Sequence, residues 1–253
     1  MHKNKHKREP RKLPANYVSY RRYLWALMSG FAVVWTALAI APWYRGDWFV
    51  ENILVIAFIA GVIAFRRALF FSRVSYTLIF VFLTFHIIGA HYTYAETPYD
   101  AWFKALTGRT FNSLVGWERN NFDRVVHFLY GFLLAYPIRE IFLRVANVRG
   151  FWGYFLPLDL TMSSSALYEL IEWGAALVLG GDLGAAYLGT QGDMWDAHKD
   201  MALASLGALL AMLITAFINY RHQRDFTREW VESWRVKNHQ PLGEDALLRS
   251  NER

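Results

Sequence analysis

The 253 residues are 55% hydrophobic and 17% aromatic, a richer apolar content than soluble domains carry, and no cysteine is present. Disulfides, thiolate metal sites and cysteine nucleophiles are therefore excluded. The net charge is +6, but the basic residues flank hydrophobic runs instead of forming a patch of their own, which argues against nucleic acid as a partner.

Residues 1–22 read as a basic cytoplasmic tail carrying eight Lys and Arg, suited to anionic lipid headgroups at about 1 kcal/mol per base. Six apolar runs follow, each long enough for a hydrocarbon core of ~30 Å. They run approximately Leu24 to Tyr44, Trp48 to Phe65, Val74 to Tyr94, Asp123 to Ala146, Phe155 to Leu179, and Ala197 to Tyr220. The first has no short apolar core followed by a small-residue cleavage site, so it reads as a retained helix and not a signal peptide. Beyond it, residues 221–253 form a second tail. There Phe226, Trp230 and Trp234 recur every four residues, the spacing of a short amphipathic helix on a membrane surface. The expected fold is all-α: one polytopic membrane helix bundle of about six transmembrane helices over residues 23–220.

Charge sets the expected orientation. With the N-terminus inside, the inner flanks carry 19 Lys and Arg and the outer flanks six: Arg45, Lys104, Arg109, Arg119, Arg124 and Lys199. Both termini are then cytoplasmic. No internal repeat of the kind many secondary transporters show is legible.

Ionisable groups inside membrane helices are costly, and those present here are grouped. At 100° per residue, Thr161, Ser165, Tyr168 and Glu172 share one face of the fifth span, with Glu169 about 60° away. Asp123, His127, Tyr130 and Pro137 share a face of the fourth; Asp196, Asp200 and Gly207 share one of the sixth. His86, His91 and Glu96 sit towards the end of the third, and Glu51 opens the second. In the charge-derived topology nearly all of these fall in the outer half of the bilayer, Glu172 roughly 10 Å deep at 1.5 Å per residue. That predicts one pocket opening to the periplasmic face.

Carboxylates and imidazoles suit a divalent cation, or a pair of carboxylates divided into acid and base. Asp123, one turn before His127, is placed to fix the imidazole tautomer. The candidate catalytic residues are His127, Asp123, Glu169, Glu172 and Asp200; the candidate binding residues are His91, Glu96, Tyr168, Gln191, Asp193 and Asp196. Plainer roles stand beside these. Asp193 or Asp196 can cap the sixth helix, His86 can be a hydrogen-bonded packing residue, Glu140 and Arg144 form an i, i+4 pair, and Asp159 is placed to pair with Arg149. Trp117, Trp173 and Trp195 fit an aromatic belt.

Several segments together resemble a known family. Gly89-Ala90-His91-Tyr92-Thr93-Tyr94-Ala95-Glu96-Thr97-Pro98, Arg119-Asn120-Asn121-Phe122-Asp123 through His127, Tyr168-Glu169-Leu170-Ile171-Glu172-Trp173 and Leu188 through Asp196 are similar to the YjdF-type bacterial inner-membrane proteins. The resemblance covers roughly residues 20–220. It implies a multi-span protein of the inner (cytoplasmic) membrane, without supplying a reaction. A more distant likeness is to VanZ-like membrane proteins, in which His127, Glu169, Asp200 and Gly207 match the pattern, while Glu172 stands where Gln is usual and Ala204 where Asn is.

Three classes of function fit this reading. One is a membrane-embedded enzyme acting on a lipid-linked or headgroup substrate, with membrane lipids or a small molecule as partner. A second is a small proton- or cation-coupled transporter, and a third is a protein whose polar groups only hold helices together. The absence of His-Glu-x-x-His and of a repeat leaves the choice to geometry.

Overall fold

The structure, a computed structural model, describes residues 17–65, 70–181 and 190–237. Residues 1–16, 66–69 (with Arg66 and Arg67), 182–189 and 238–253 lie outside the described residues. Among those described there are nine helices and no strand. They are α1 (Tyr17–Ala39), α2 (Arg45–Ala64), α3 (Arg73–Tyr92), α4 (Tyr99–Thr107), α5 (Phe111–Val115), α6 (Phe122–Val145), α7 (Trp152–Leu179), α8 (Asp196–His222) and α9 (Phe226–Ser233).

Five of these, α1, α2, α3, α6 and α8, are long and apolar enough to cross a membrane. The sixth long helix, α7, has 28 residues and packs against both α6 and α8. It carries Asp159, Glu169 and Glu172, which lower its hydropathy without shortening it. Val33, Phe58, Leu177 and Phe217 are among many large apolar side chains exposed on the outer surface, an arrangement suited to lipid rather than water. The molecule is a polytopic helical membrane bundle.

The first expected span is displaced. The apolar run extends over Leu24 to Tyr44, across Pro42, whereas α1 ends at Ala39. Proline drives the residue before it out of the α region, and Ala41 takes a positive φ of 47°, so the chain turns there. The short helices α4 and α5 were not foreseen. They fold the segment between α3 and α6 back on itself: Tyr99 donates its hydroxyl to Asn112 Oδ1 at 2.6 Å, and Asn112 N–H reaches Asp100 Oδ1 at 2.9 Å.

The interior is organised around the α6–α8 seam, with α7 against both, α3 against α6, and α1 and α2 against α3. Two glycines make the seam close. A Cβ on Gly131 would stand 1.8 Å from the Ala204 carbonyl oxygen, and one on Gly207 would stand 2.2 Å from that of Phe128. With Ala204, Ala208 and Ala135 fully buried between them, the two backbones touch, as small residues permit in a membrane where there is no water-driven association.

At the end of the bundle where α3 begins, the Glu140 carboxylate receives Ser72 N–H (2.8 and 3.0 Å) and the Ser75 hydroxyl (2.6 Å). Glu140 therefore fixes the start of α3 as well as pairing with Arg144. Arg149 pairs with Glu229 at 3.2 Å, not with Asp159. This contact belongs to a docking of α9 onto the start of α7, where Phe151 N–H donates to Ser233 Oγ, Trp152 Nε1–H donates to the Ser233 carbonyl, and the Phe151 and Trp234 rings lie 4.3 Å apart. The amphipathic helix thus turns its aromatic face onto the bundle.

Candidate functional site

Between α2 on one side and α3, α6 and α7 on the other lies a cavity of about 540 Å³. It exists because α2 packs mainly against α3, leaving its other flank apart from α6 and α7. Its two ends differ in character. One is lined by Asp47, Glu51, His86, Thr93, Asp123 and His127, joined by Tyr168, Glu172 and Asp200; the other is lined by Val62, Phe71, Leu83, Leu134, Ile138 and Ile141.

The polar end is assembled from five helices. Asp47 and Glu51 are one turn apart on α2 and almost fully buried. Asp47 accepts the Thr93 hydroxyl at 2.6 Å, which ties the start of α2 to the end of α3, where Thr93 takes a left-handed conformation and its N–H returns to the Gly89 carbonyl. Tyr94 then folds back under the helix, its hydroxyl 2.5 Å from His86 Nδ1. A Cβ on Gly89 would lie 2.6 Å from the Tyr94 ring, so glycine is required there. His86, which the sequence allowed as a packing residue, lines the cavity with its Nε2 3.4 Å from the Glu51 carbonyl.

Beside this end the segments opening α6 and α8 are joined by charge. Arg119 pairs with Asp196, lies 3.8 Å from Asp123 and donates to the Thr190 carbonyl at 2.6 Å. Arg124 reaches Asp193 at 2.5 Å and Asp196 at 3.0 Å; Lys199 reaches Asp193 at 2.5 Å. Asp193 also accepts Trp195 N–H at the start of α8. The hydrogen bond from the Lys199 ammonium, followed by those from Trp195 N–H and Arg124, holds its carboxyl well below the usual carboxylate range. Gln191 donates to the Asn120 carbonyl at 3.0 Å. Three bases thus answer three acids.

The remaining acids have no such partner. Among the described residues, Glu51, Glu172 and Asp200 make no ion pair with a Lys or Arg, and Glu169 meets His127, Oε1 to Nε2 at 3.6 Å, and shares a side-chain hydrogen bond with Glu172. Buried oxygens of Glu51, Glu169 and Asp200 find no hydrogen-bond donor at all. A lone buried carboxylate costs several kcal/mol unless it is neutralised or bound, so this group calls for a proton, a cation or a ligand. Asp123, placed by sequence to steady His127, has turned its Oδ1 to the Arg124 N–H at 2.7 Å.

Of the residues singled out from sequence, Asp123, His127, Tyr168, Glu172 and Asp200 line the cavity, and Glu169 stands beside His127. Asp193, Asp196 and Gln191 lie in the adjoining ion-pair layer. His91 and Glu96 are outside the cavity lining: His91 Nδ1 is 2.7 Å from the Leu38 carbonyl, and Glu96 meets the Tyr44 hydroxyl at 3.5 Å. Asp47 and Thr93 were missed; the i, i+4 spacing of Asp47 and Glu51 was the available signal.

Fold and apolar surface together define an integral membrane protein of several spans. Residues 23–221 match the family described as "Predicted membrane protein (DUF2238)", and the chain belongs to that family. It is similar to "Inner membrane protein YjdF" of Escherichia coli (strain K12), 38% identical over 181 residues that cover 71% of this chain and 82% of that protein. The expected family and inner-membrane location are therefore met. No solved structure matches the chain.

Proposed function

We propose that the protein admits an amphipathic, lipid-type molecule from the bilayer into the cavity and holds its polar group at the acidic end, towards the periplasmic face. One observation carries this reading: a single cavity is acidic at one end and wholly apolar at the other. A site for a small polar solute has no use for the apolar half, and a structural polar cluster has no use for the empty volume. The volume is within the range of roughly 300–1,000 Å³ typical of ligand sites. His127, Glu169, Glu172 and Asp200 would form the seat of the bound headgroup, and the arginine-held Asp123 and Asp196 would keep the wall in place.

A transport reading draws on Thr161, Ser164 and Ser165, which continue the polar stripe of α7 inward. Against it stands the apolar lining at Leu134, Ile138 and Ile141, which offers a proton or cation no partners. The pocket reading is favoured.

The test is mass spectrometry of lipid extracts from detergent-purified protein, wild type against Leu134→Trp, which fills the apolar end. About one tightly held amphiphile per chain is expected in the wild type and markedly less in the variant, both eluting as folded species. Equal lipid content in the two would overturn the proposal.

A further inference from the structure

We propose that His127, Glu169 and Asp200 bind one divalent transition-metal cation at the polar end of the cavity. One ligand atom from each residue lies within 4.8 Å of the others. Three such atoms share a point no more than about 2.8 Å from each, so inward shifts of roughly 0.6 Å reach metal–ligand bonds of about 2.0–2.2 Å.

Burial and pairing point the same way. Asp200 is 4% exposed, and its Oδ1, like Oε1 of Glu169, has no hydrogen-bond donor. Two carboxylates that each keep one oxygen without a donor, grouped with an imidazole, are what a cation would complete. The scaffold is stiff as well, since Asp200 lies one turn before Ala204, which Gly131 meets one turn after His127.

A neighbouring trio, Asp123, Asp196 and Asp200, is equally close, yet it is a poorer site. Asp196 already holds both Arg119 and Arg124, and Asp123 lies within 3.8 Å of Arg119. A metal there would face two guanidinium groups. Among the described residues, no Lys or Arg is paired with His127, Glu169 or Asp200.

The donor set narrows the ion. One imidazole with two carboxylates suits Mn²⁺, Fe²⁺ or Zn²⁺ better than Ca²⁺ or Mg²⁺, which prefer oxygen alone. Three protein ligands leave coordination positions open, as in metal sites that meet a substrate. Two of the ligands, His127 and Asp200, line the cavity, so those positions would face a phosphate-type headgroup. Without the ion, Glu51, Glu172 and Asp200 would repel such a group.

The assignment builds on the cavity being the ligand site, but the two fail separately. Metal-stripped protein in detergent, without added lipid, is titrated with Mn²⁺ and followed by electron paramagnetic resonance. One Mn²⁺ per chain is expected, with imidazole-nitrogen modulation in the pulsed spectrum. Asp200→Asn and Glu169→Gln should each weaken binding on the order of 100-fold, and His127→Gln should remove the nitrogen modulation. Asp159→Asn, an exposed acid on α7 outside the cavity lining, should bind as the wild type does. The proposal is overturned by no stoichiometric binding to the wild type, by absence of nitrogen modulation, or by an equal loss in Asp159→Asn. Should Asp200→Asn elute unfolded, Glu169→Gln and the wild-type nitrogen signal decide. Metal binding without retained lipid would sink the amphiphile reading alone; retained lipid without metal would sink this one alone.

Discussion

Gly131→Ala tests the packing that holds the site together. A Cβ built there lies 1.8 Å from the Ala204 carbonyl oxygen and 2.8 Å from the Ala208 nitrogen. An ordinary carbon–oxygen contact needs about 3.3 Å, so the α6 and α8 backbones must part by roughly 1.5 Å, and neither obstacle is a flexible side chain that can swing aside. Overpacking of this kind costs about 1–3 kcal/mol, and a rigid seam lies at the upper end. We expect a loss of about 2–3 kcal/mol, a factor of roughly 30 to 150 in the ratio of folded to unfolded protein. Reversible unfolding in mixed detergent micelles reads it out. Gly174→Ala is the control, because a Cβ there meets nothing, and it should be neutral or slightly stabilising. A Gly131→Ala protein within about 0.5 kcal/mol of the wild type, the ordinary scatter of surface changes, would refute the seam as described.

Two further expectations concern the ion-pair layer and the topology. The carboxyl of Asp193 is held below its usual 3.8, so the stability it contributes is present above that value and is lost only as pH falls through the lower folded one. The stability difference between wild type and Asp193→Asn should therefore be constant from about pH 8 to about pH 5 and shrink below about pH 4; a difference that vanishes near neutrality would contradict the Lys199 and Arg124 contacts. From the charge bias, the segment holding α4 and α5 is expected outside and the C-terminus inside. A cysteine introduced at Asn112 should react with a membrane-impermeant maleimide on intact cells, unobscured by any native cysteine, and a fluorescent protein fused at the C-terminus should fold and fluoresce. The reverse pattern would invert the topology.

Much of the architecture was legible because bilayer thickness imposes a single strong rule on apolar length. The span expected over Asp123 to Ala146 is α6 shifted by one residue, and that over Val74 to Tyr94 ends two residues beyond α3. Where a local signal competed with hydropathy, as at Pro42, the apolar run alone misplaced the boundary. The shared level of the acids was also readable, since each helix converts sequence position into depth. Their partners were not. Arg119 and Asp196 are 77 positions apart, and Arg124 and Asp193 are 69, so which acids are answered by a base depends on how α6 meets α8. That meeting is decided by Gly131 and Gly207, whose role shows only once the two backbones are in contact. The amphipathic period of α9 was clear, but it does not say whether the apolar face meets lipid or Phe151.

The most direct measurement places a photoreactive benzoylphenylalanine at Phe82, which lines the cavity, and in parallel at Leu213, which is exposed on the outer surface. After irradiation in native membranes, intact-protein mass spectrometry reads the adducts. A cavity that takes an amphiphile predicts one discrete adduct at Phe82, distinct from the mixture of bulk lipids captured at Leu213. No adduct at Phe82, or the same mixture at both positions, would contradict it.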